Sequence, residues 1–374
     1  MRLPLGIVAV VSLGVAAQAA ACSSSDSTPS APVDAGVPEA APIDSGGTDA
    51  GGGDDASACA KDIDVDGLYK HLACTGIESG VAFKPANEFW SDGAEKSRWV
   101  YLPAGAKIDI TDFDEWVYPN GMKLWKEFKV DGKKVETRLF AKGDDGTWRH
   151  TVYRWNDAET EAVKKTIGEL LPPNGTRTST YEIPNTTQCN ACHDGRKEPV
   201  LGFDAMGLGV SGATGMTLAM LASDGRFTVT PPTTTITIPE DSTTKAAAAL
   251  GWLHANCGHC HNDNSGAYAL YAKPKFIIKP SDIADAGAVT TMRAWTSSVC
   301  VAANGLNPDG GTAIKIIEKM QPDNSLAVIL SGQRNPEGTD PDTRQMPPMV
   351  TRRVDTVGHQ KLVDWVAALP DPCN

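Results

Sequence analysis

The sequence predicts an α+β fold, in which an antiparallel, sandwich-like β module precedes a mostly helical part. Between residues 81 and 184, aromatic and β-branched residues alternate with polar ones and are interrupted by glycine-containing turns, a pattern typical of strands joined as hairpins. In the last third of the chain, apolar residues recur at helical spacing, and the final run ends at Pro370.

The β module is predicted to contain strands at 97–102, 122–130, 134–141 and 148–155. Its core is expected to contain six tryptophans: Trp90, Trp99, Trp116, Trp125, Trp148 and Trp155. The alternative for these aromatic residues is an exposed face that binds a sugar or a protein partner.

Helices are predicted at 215–222, from about Ser242 toward residue 257, and at 313–319, 325–331 and 357–369. The intervening segment 228–239, which contains a Pro-Pro pair and many threonines, is predicted to be an extended connector. The final helix is expected to pack against the helix that precedes residue 257, because it carries an apolar face.

Two Cys-x-x-Cys-His motifs, here called pentads, occupy residues 189–193 and 257–261. This spacing is the signature of c-type haem attachment, in which two thiols form thioethers to the porphyrin and the histidine binds the iron. The sequence therefore predicts two covalently attached haems c. The residues that would hold them are Cys189, Cys192 and His193 for the first haem, and Cys257, Cys260 and His261 for the second.

The cysteine pairs have two other interpretations. Two pairs could form one four-cysteine zinc site, but zinc does not explain a histidine directly after both pairs. A thioredoxin-like redox pair needs a strand that leads into a helix, and the polar residues 185–188 before Cys189 are not expected to provide that setting.

The sixth iron ligands would decide whether a haem carries electrons or binds a small ligand. Met346, in the Arg-Gln-Met-Pro-Pro-Met run at 344–349, is the favoured ligand of the second haem, with Met349 as the near alternative and core packing as the competing role. For the first haem the leading candidate is Met206, ahead of Met216 and Met220.

The remaining histidines are expected to be mainly structural. His71, His150 and His254 are alternative ligands of the first haem, but a structural or surface role is favoured for each. His259 lies between two haem cysteines and is expected to be a spacer, and His359 is expected to be exposed.

The N-terminus has the features of an exported lipoprotein. Residues 1–21 resemble a signal peptide, and Cys22 follows three alanines as a lipidated cysteine would. Residues 22–58 are rich in Ser, Asp, Pro, Gly and Ala and are predicted to form a disordered tether. The expected location is the periplasm or cell surface, with a lipid anchor in the outer membrane.

The rest of the chain divides into a β-rich module at 59–185, a first haem-attachment segment and connector at 186–240, and a helical domain at 241–374. The helical domain has the order of a small cytochrome c domain: pentad, helices, methionine loop and final helix. Four cysteines remain after lipid and haem attachment, and export permits disulfides among them. Cys59 with Cys74 would close a short loop and Cys300 with Cys373 would hold the C-terminus, but the pairing stays open, because four cysteines allow three connectivities.

The formal net charge is −12, and haem propionates would add to it. This charge argues against nucleic acid or anionic lipid headgroups as partners. A redox protein partner steered by long-range charge is instead expected to present a basic patch.

The pentads and four further runs together resemble a family of exported bacterial two-haem c-type cytochromes. These runs are Trp-Ser-Asp-Gly-Ala-Glu-Lys-Ser-Arg-Trp at 90–99, Tyr-Arg-Trp-Asn at 153–156, Asn-Cys-Gly-His-Cys-His at 256–261 and Met-Pro-Pro at 346–348. The resemblance covers most of residues 81–369 and implies haem c binding and electron transfer in the cell envelope. Two other readings stay open, a peroxidase-like two-haem enzyme and a β module that binds a partner.

Overall fold

The computed structural model describes residues 80–303, 315–335 and 344–373. The expected signal peptide, tether and lipidation site at Cys22 lie outside these residues, as do Cys59, His71 and Cys74. The described residues all belong to one compact unit that extends from Gly53 to Asn374.

A seven-stranded antiparallel sheet follows the order β6-β5-β4-β3-β2-β1-β9. Its four central strands match the predicted strands within two residues at each end. A separate two-stranded sheet is formed by β7 and β8. The strands are β1 Val81–Lys84, β2 Glu95–Tyr101, β3 Lys123–Val130, β4 Lys133–Lys142, β5 Trp148–Trp155, β6 Ala162–Lys165, β7 Glu169–Leu171, β8 Tyr181–Ile183 and β9 Thr214–Gly215.

The turn between β3 and β4 shows why these strands form a tight hairpin. Asp131 and Gly132 have φ angles of 52° and 77°, the left-handed pair that a two-residue type I′ turn requires. Such a turn matches the twist of the adjoining strands, and β4 and β5 then continue the antiparallel order with regular pairing.

The two faces of the sheet differ in what covers them. On one face Trp125, Leu139, Tyr153 and Trp155 form a small aromatic core. On the other, the β7–β8 sheet packs beside Phe128 and Val152. Of the six tryptophans expected in the core, Trp116, Trp125 and Trp155 are buried, and the other three are partly buried.

Eight α-helices occur in the described part of the chain, with the last, at 13 residues, the longest. None of the helices in these residues is long and apolar enough to cross a membrane. They are α1 Thr186–His193, α2 Ala205–Gly209, α3 Leu218–Ser223, α4 Ala246–Asn256, α5 Pro280–Ala286, α6 Arg293–Thr296, α7 Leu326–Ser331 and α8 Thr356–Ala368.

The helix predicted at 313–319 is wrong for the residues that the structure describes. Lys315 and Ile317 instead form β-bridges to Ala302 and Val299. Ile316 and Ile317 are both buried, and two adjacent β-branched side chains favour an extended backbone when opposite faces are covered.

The prediction that the last helix packs against the pentad helix is confirmed. The indole Nε1 of Trp252 on α4 donates a hydrogen bond to Asp355 Oδ2, at 2.8 Å, directly before α8. A Cβ atom at Gly358 would lie 1.9 Å from the same indole nitrogen. Only glycine therefore permits this close approach of α8 to α4.

One hydrophobic core joins the sheet to the helices. It contains strand and loop residues such as Phe83, Val100 and Ile108, together with Trp252 on α4 and Trp365 on α8. The β module and the helical part are therefore packed against each other through shared side chains.

A disulfide bond joins Cys300 to Cys373 and fastens the C-terminus to the loop after α6. The two residues are 73 positions apart in the sequence. In the chain-entropy description, closing a loop of this length stabilises the folded state by about 4 kcal/mol.

Candidate functional site

The first pentad lies on α1, a helix with a complete N-terminal capping box. The side chain of Asn185 accepts a hydrogen bond from the Gln188 backbone N–H at 2.9 Å, and the Gln188 side chain accepts one from the Asn185 N–H at 2.8 Å. Cys189 and His193 are four residues apart and so lie on one face of the helix. The thiols of Cys189 and Cys192 are free.

A strand does precede the first pentad, contrary to the sequence-based expectation. β8 ends at Ile183, and α1 begins at Thr186. However, β8 pairs antiparallel with β7, whereas a thioredoxin-like motif is expected beside a βαβ unit. The setting of Cys189 therefore does not have the strand arrangement of that redox motif.

The His193 imidazole is held in one orientation. Its Nδ1 lies 2.6 Å from the carbonyl oxygen of Pro199, and a carbonyl can only accept, so we assign the proton to Nδ1. Burial lowers the pKa of His193 to about 4, and the ring is therefore neutral at pH 7, with a lone pair on Nε2. A ring-to-ring stack with Phe140, 4.4 Å between centroids, fixes its plane.

The second pentad repeats this arrangement in different surroundings. It begins where α4 ends, with Cys257 at the C-cap. The Nδ1 of His261 lies 3.3 Å from the carbonyl oxygen of Pro274, and burial lowers the pKa of His261 to about 4. Both pentad histidines thus direct Nδ1 at a proline carbonyl, and metal-binding histidines commonly make such a hydrogen bond, which fixes the ring and leaves Nε2 for the metal.

The two pentads are in direct contact. The Cys260 Sγ lies 3.6 Å from the Ala191 carbonyl oxygen. A Cβ atom at Gly195 would lie 2.1 Å from the His259 carbonyl oxygen, and one at Gly266 would lie equally close, 2.1 Å, to the Asp194 carbonyl oxygen. Glycine at both positions therefore allows the backbones after the two pentads to touch.

His259, which was expected to be a spacer, is a buried member of this contact. It is 5% exposed, its ring meets Phe89 edge-on at 5.0 Å, and its Nδ1 has no hydrogen-bond partner. Its donor atom and the sulfurs of Cys192 and Cys260 all lie within 4.8 Å of one another. The sequence gives no signal for this role beyond an extra histidine inside the second pentad.

This cluster bears on the zinc interpretation. The described chain brings together Cys192, His259 and Cys260, and not the four pentad cysteines that a Cys₄ zinc site needs. A hydrogen bond between the thiols of Cys192 and Cys260 lowers the pKa of Cys192 and raises the pKa of Cys260. Burial raises the pKa of Cys257 to about 12.

A cavity opens beside the first pentad. It is partly open to solvent and lined by both apolar and charged side chains. Its wall includes Cys189, Cys192 and His193, the sheet residues Leu124 and Phe140, and parts of the 200–207 and 347–351 segments. The β module therefore forms one wall of the first pentad's cavity.

Two methionines reach the cavity. Met206, the leading candidate from the sequence, is 4% exposed and lines it. Met349, at 8% exposure, lines it as well, so this alternative ligand of the second haem lies beside the first pentad. Met346 is partly buried, its N–H donates to the Leu330 carbonyl at 2.8 Å, and it does not line this cavity.

Met216 and Met220, the two other methionines considered for the first haem, lie elsewhere. Met216 belongs to the hydrophobic core, and Met220 is 43% exposed on α3. Neither of them lines the cavity, so the structure does not bring either one to the first pentad.

His254 also lines the cavity, but its protonation argues against iron ligation. Its Nδ1 accepts a hydrogen bond from the Ile278 N–H at 3.0 Å. Because burial lowers the pKa of His254 to about 4, the ring is neutral and its proton sits on Nε2. His254 is therefore a hydrogen-bond donor at Nε2, not a source of a lone pair.

The other two histidines lie away from the cavity. His150 stacks on Phe140, with the ring centroids 5.7 Å apart, and does not line the cavity. His359 was expected to be exposed, but it is partly buried, and its Nδ1 lies 3.0 Å from the Ser331 hydroxyl.

No protein-family model, no curated protein and no solved structure matches the chain. The site must therefore be interpreted from its own geometry. The residues that could hold a haem are four free thiols and two histidines whose Nδ1 atoms lie at proline carbonyls, with a cavity beside the first pentad.

Proposed function

We propose that the protein is a two-haem c-type cytochrome that carries single electrons. One haem is attached to Cys189 and Cys192 with His193 as iron ligand, and the other to Cys257 and Cys260 with His261. The observation that carries this proposal is the shared orientation of the two histidines, each with Nδ1 at a proline carbonyl. Zinc or dithiol chemistry gives no reason for two such histidines, one after each cysteine pair.

When bound, each haem would supply a one-electron iron couple. The protein's own residues would set how that couple behaves. Phe140 and Leu124 give the first pentad an apolar wall, which would limit water near a bound haem. The proline carbonyls would raise the basicity of the two histidine ligands by accepting a hydrogen bond from each Nδ1–H.

The finer features of this proposal concern the fold and the sixth ligands. We propose that residues 241–374 form a cytochrome c-like domain, an assignment that the packing of α8 on α4 supports. Met346 is the proposed sixth ligand of the second haem. Met206 is the proposed sixth ligand of the first, supported by its place in the cavity wall.

The proposed setting is the bacterial cell envelope. Residues 1–21 would direct export, and lipid on Cys22 would anchor the protein to the outer membrane. A redox partner with a basic patch would approach this acidic chain, whose formal net charge is −12.

A second candidate is a peroxidase-type two-haem enzyme with an open first haem. The observation that favours it is His254, which lines the cavity and whose Nδ1 accepts the Ile278 N–H, leaving the ring proton on Nε2. Such a donor could bind an oxygen ligand on the iron. The two candidates differ in one respect, namely whether the first haem keeps an exchangeable sixth position.

The test is to produce the full chain with its own export signal in a bacterium that matures c-type cytochromes. Haems per chain are counted by mass spectrometry and by the pyridine haemochrome spectrum. Two haems with methionine ligation and no reaction with carbon monoxide or peroxide are the expected result. A first haem that binds carbon monoxide and turns over peroxide would favour the enzyme, and a chain without covalent haem would refute both candidates.

A further inference from the structure

Three basic residues stand side by side on three neighbouring strands. Arg98 on β2 pairs directly with Lys126 on β3, and Lys126 pairs directly with Arg138 on β4. All three line the cavity of the first pentad. We call them the basic row. Like charges directly opposite one another destabilise a sheet, so this row needs compensating negative charge.

The two ends of the row have carboxylate partners. Arg98 Nη1 lies 2.9 Å from Glu88 Oε2, and Arg138 Nε donates to Glu136 Oε2 at 2.9 Å. Glu136 is fully buried and also accepts a hydrogen bond from the Tyr181 hydroxyl at 2.6 Å. These acids are therefore already engaged and leave little negative charge for the middle of the row.

Lys126, in the middle, lacks such a partner. Among the described residues, no carboxylate lies within salt-bridge distance of its Nζ, whose nearest aromatic contacts are the rings of Phe128 at 5.1 Å and Phe89 at 5.5 Å. Burial, together with the neighbouring charges of Arg98 and Lys96, holds the pKa of Lys126 well below its ordinary value. A methionine at position 126 would fit the cavity wall without the cost of burying an unpaired positive charge.

The cavity wall beside the row is apolar. Leu124 is two residues before Lys126, and Phe140 is two residues after Arg138, so each pair shares one face of the sheet. Both apolar residues line the cavity, and Phe140 stacks on His193. The wall therefore presents an apolar band beside His193 and a cationic band one step along the strands. A haem has a matching division, with an apolar ring and two carboxylates on the edge away from its vinyl groups.

We propose that the basic row binds the propionates of the haem attached at Cys189 and Cys192, with Lys126 as the direct partner of one carboxylate. This inference rests on the proposed function. It explains why the sheet keeps an uncompensated lysine between two arginines, because the missing negative charge arrives with the cofactor. A charged Lys126 beside the haem would also favour the reduced iron and raise its midpoint potential.

The test compares three variants of the full, matured chain. Lys126→Met removes the charge, Lys126→Arg keeps it, and Lys164→Met removes an exposed lysine on β6, away from the cavity. Haems per chain and both midpoint potentials are measured, the potentials by spectroelectrochemistry from pH 5 to 9. In Lys126→Met we expect one potential to fall and to become more pH-dependent, because its propionate titrates more easily. The other potential stays unchanged, and Lys126→Arg and Lys164→Met resemble the parent.

Three outcomes would overturn the inference or its basis. If Lys126→Met carries two haems with parental potentials, the inference is wrong and the proposed function stands. If the parent carries no haem, the proposed function itself fails. If added phosphate shifts a parental potential saturably and Lys126→Met loses that response, a dissolved anion occupies the row instead of a propionate.

A second measurement covers the case in which Lys126→Met does not accumulate. The propionate bending modes in the resonance Raman spectrum report hydrogen bonding to the carboxylates. Lys126→Arg changes the donor while keeping the charge, so we expect one of these bands to move in that variant and to stay in place in Lys164→Met. Unmoved bands in Lys126→Arg would contradict the inference.

Discussion

The two pentads share a five-residue pattern but occupy different surroundings. The first lies within a capped helix, beside a wall of the sheet, with Phe140 stacked on its histidine and the basic row in the same cavity. The second begins at the end of α4 among short helices and loops. The hydrogen bond from histidine Nδ1 to its proline carbonyl is also shorter at the first pentad, 2.6 Å against 3.3 Å.

The comparison separates the residues that would attach a haem from the residues that would set its redox potential. The pentad residues determine where a haem could be attached, and these are the same at both sites. The residues that would tune each haem come from distant parts of the chain and are different. A stronger Nδ1 hydrogen bond gives a more basic ligand and favours oxidised iron, whereas nearby cations favour reduced iron. The first site has both influences, and they act in opposite directions.

The largest expected effect comes from removing one pair of pentad cysteines at a time. Cys189→Ala/Cys192→Ala and Cys257→Ala/Cys260→Ala should each lose one covalent haem. The first change should also lower the free energy of unfolding more than the second, because the basic row then loses its counter-charge. Mass spectrometry counts the haems, and urea denaturation measures stability.

The Cys192 and Cys260 sulfurs are in contact, so each double change also removes a contact between the pentads. The experiment therefore needs a control for the loss of that contact. Each variant is compared with the single change Cys192→Ala or Cys260→Ala, in which one thioether remains. Equal losses of stability in the two double variants would show that the basic row does not depend on the first haem. Two haems remaining in either double variant would contradict the assignment of that pentad.

The next effect concerns the sixth ligands. Met206→Leu and Met346→Leu should each remove the long-wavelength methionine-to-iron band of one haem and lower one potential, because a thioether ligand raises the potential. Met220→Leu is the matched control, since Met220 is 43% exposed on α3. Near-infrared absorption and redox titration measure both changes.

Met349 provides the outcome that would revise this assignment. Its side chain lines the same cavity as Met206, and it lies three residues after Met346. If Met349→Leu removes the band of the first haem and Met206→Leu does not, then the 344–349 loop supplies ligands to both haems. In that case the first and second sites would be connected through one short segment.

Local patterns in the sequence were sufficient to predict much of this molecule. Period-two alternation located β2 to β5, because each strand has one face in a core. The apolar face of the final helix correctly predicted its packing on α4. The pentads could be recognised because their chemistry depends on residues that are adjacent in sequence.

Features that depend on long-range register could not be predicted in this way. The basic row exists because Arg98, Lys126 and Arg138 meet across three strands, and a shift of one residue would turn Lys126 to the opposite face. The contact between the pentads depends on glycines at 195 and 266, which carry no local signal of it. The expected helix at 313–319 failed because pairing with 299–302 outweighed local helical propensity.

The smallest expected effect concerns N-terminal capping, which should stabilise the helix of the first pentad more than the helix that precedes the second. Asn185 caps α1 through its side chain, whereas Lys245, at the N-cap of α4, makes no side-chain capping hydrogen bond. Asn185→Ala should therefore lower the free energy of unfolding by about 1 kcal/mol, and Lys245→Ala by much less. Asn185→Ser, which keeps a capping oxygen, should restore most of the loss. Urea denaturation of the three variants measures these differences. Equal effects of the two alanine changes would mean that packing of α1 against the second pentad, and not its cap, holds Cys189 and His193 in place.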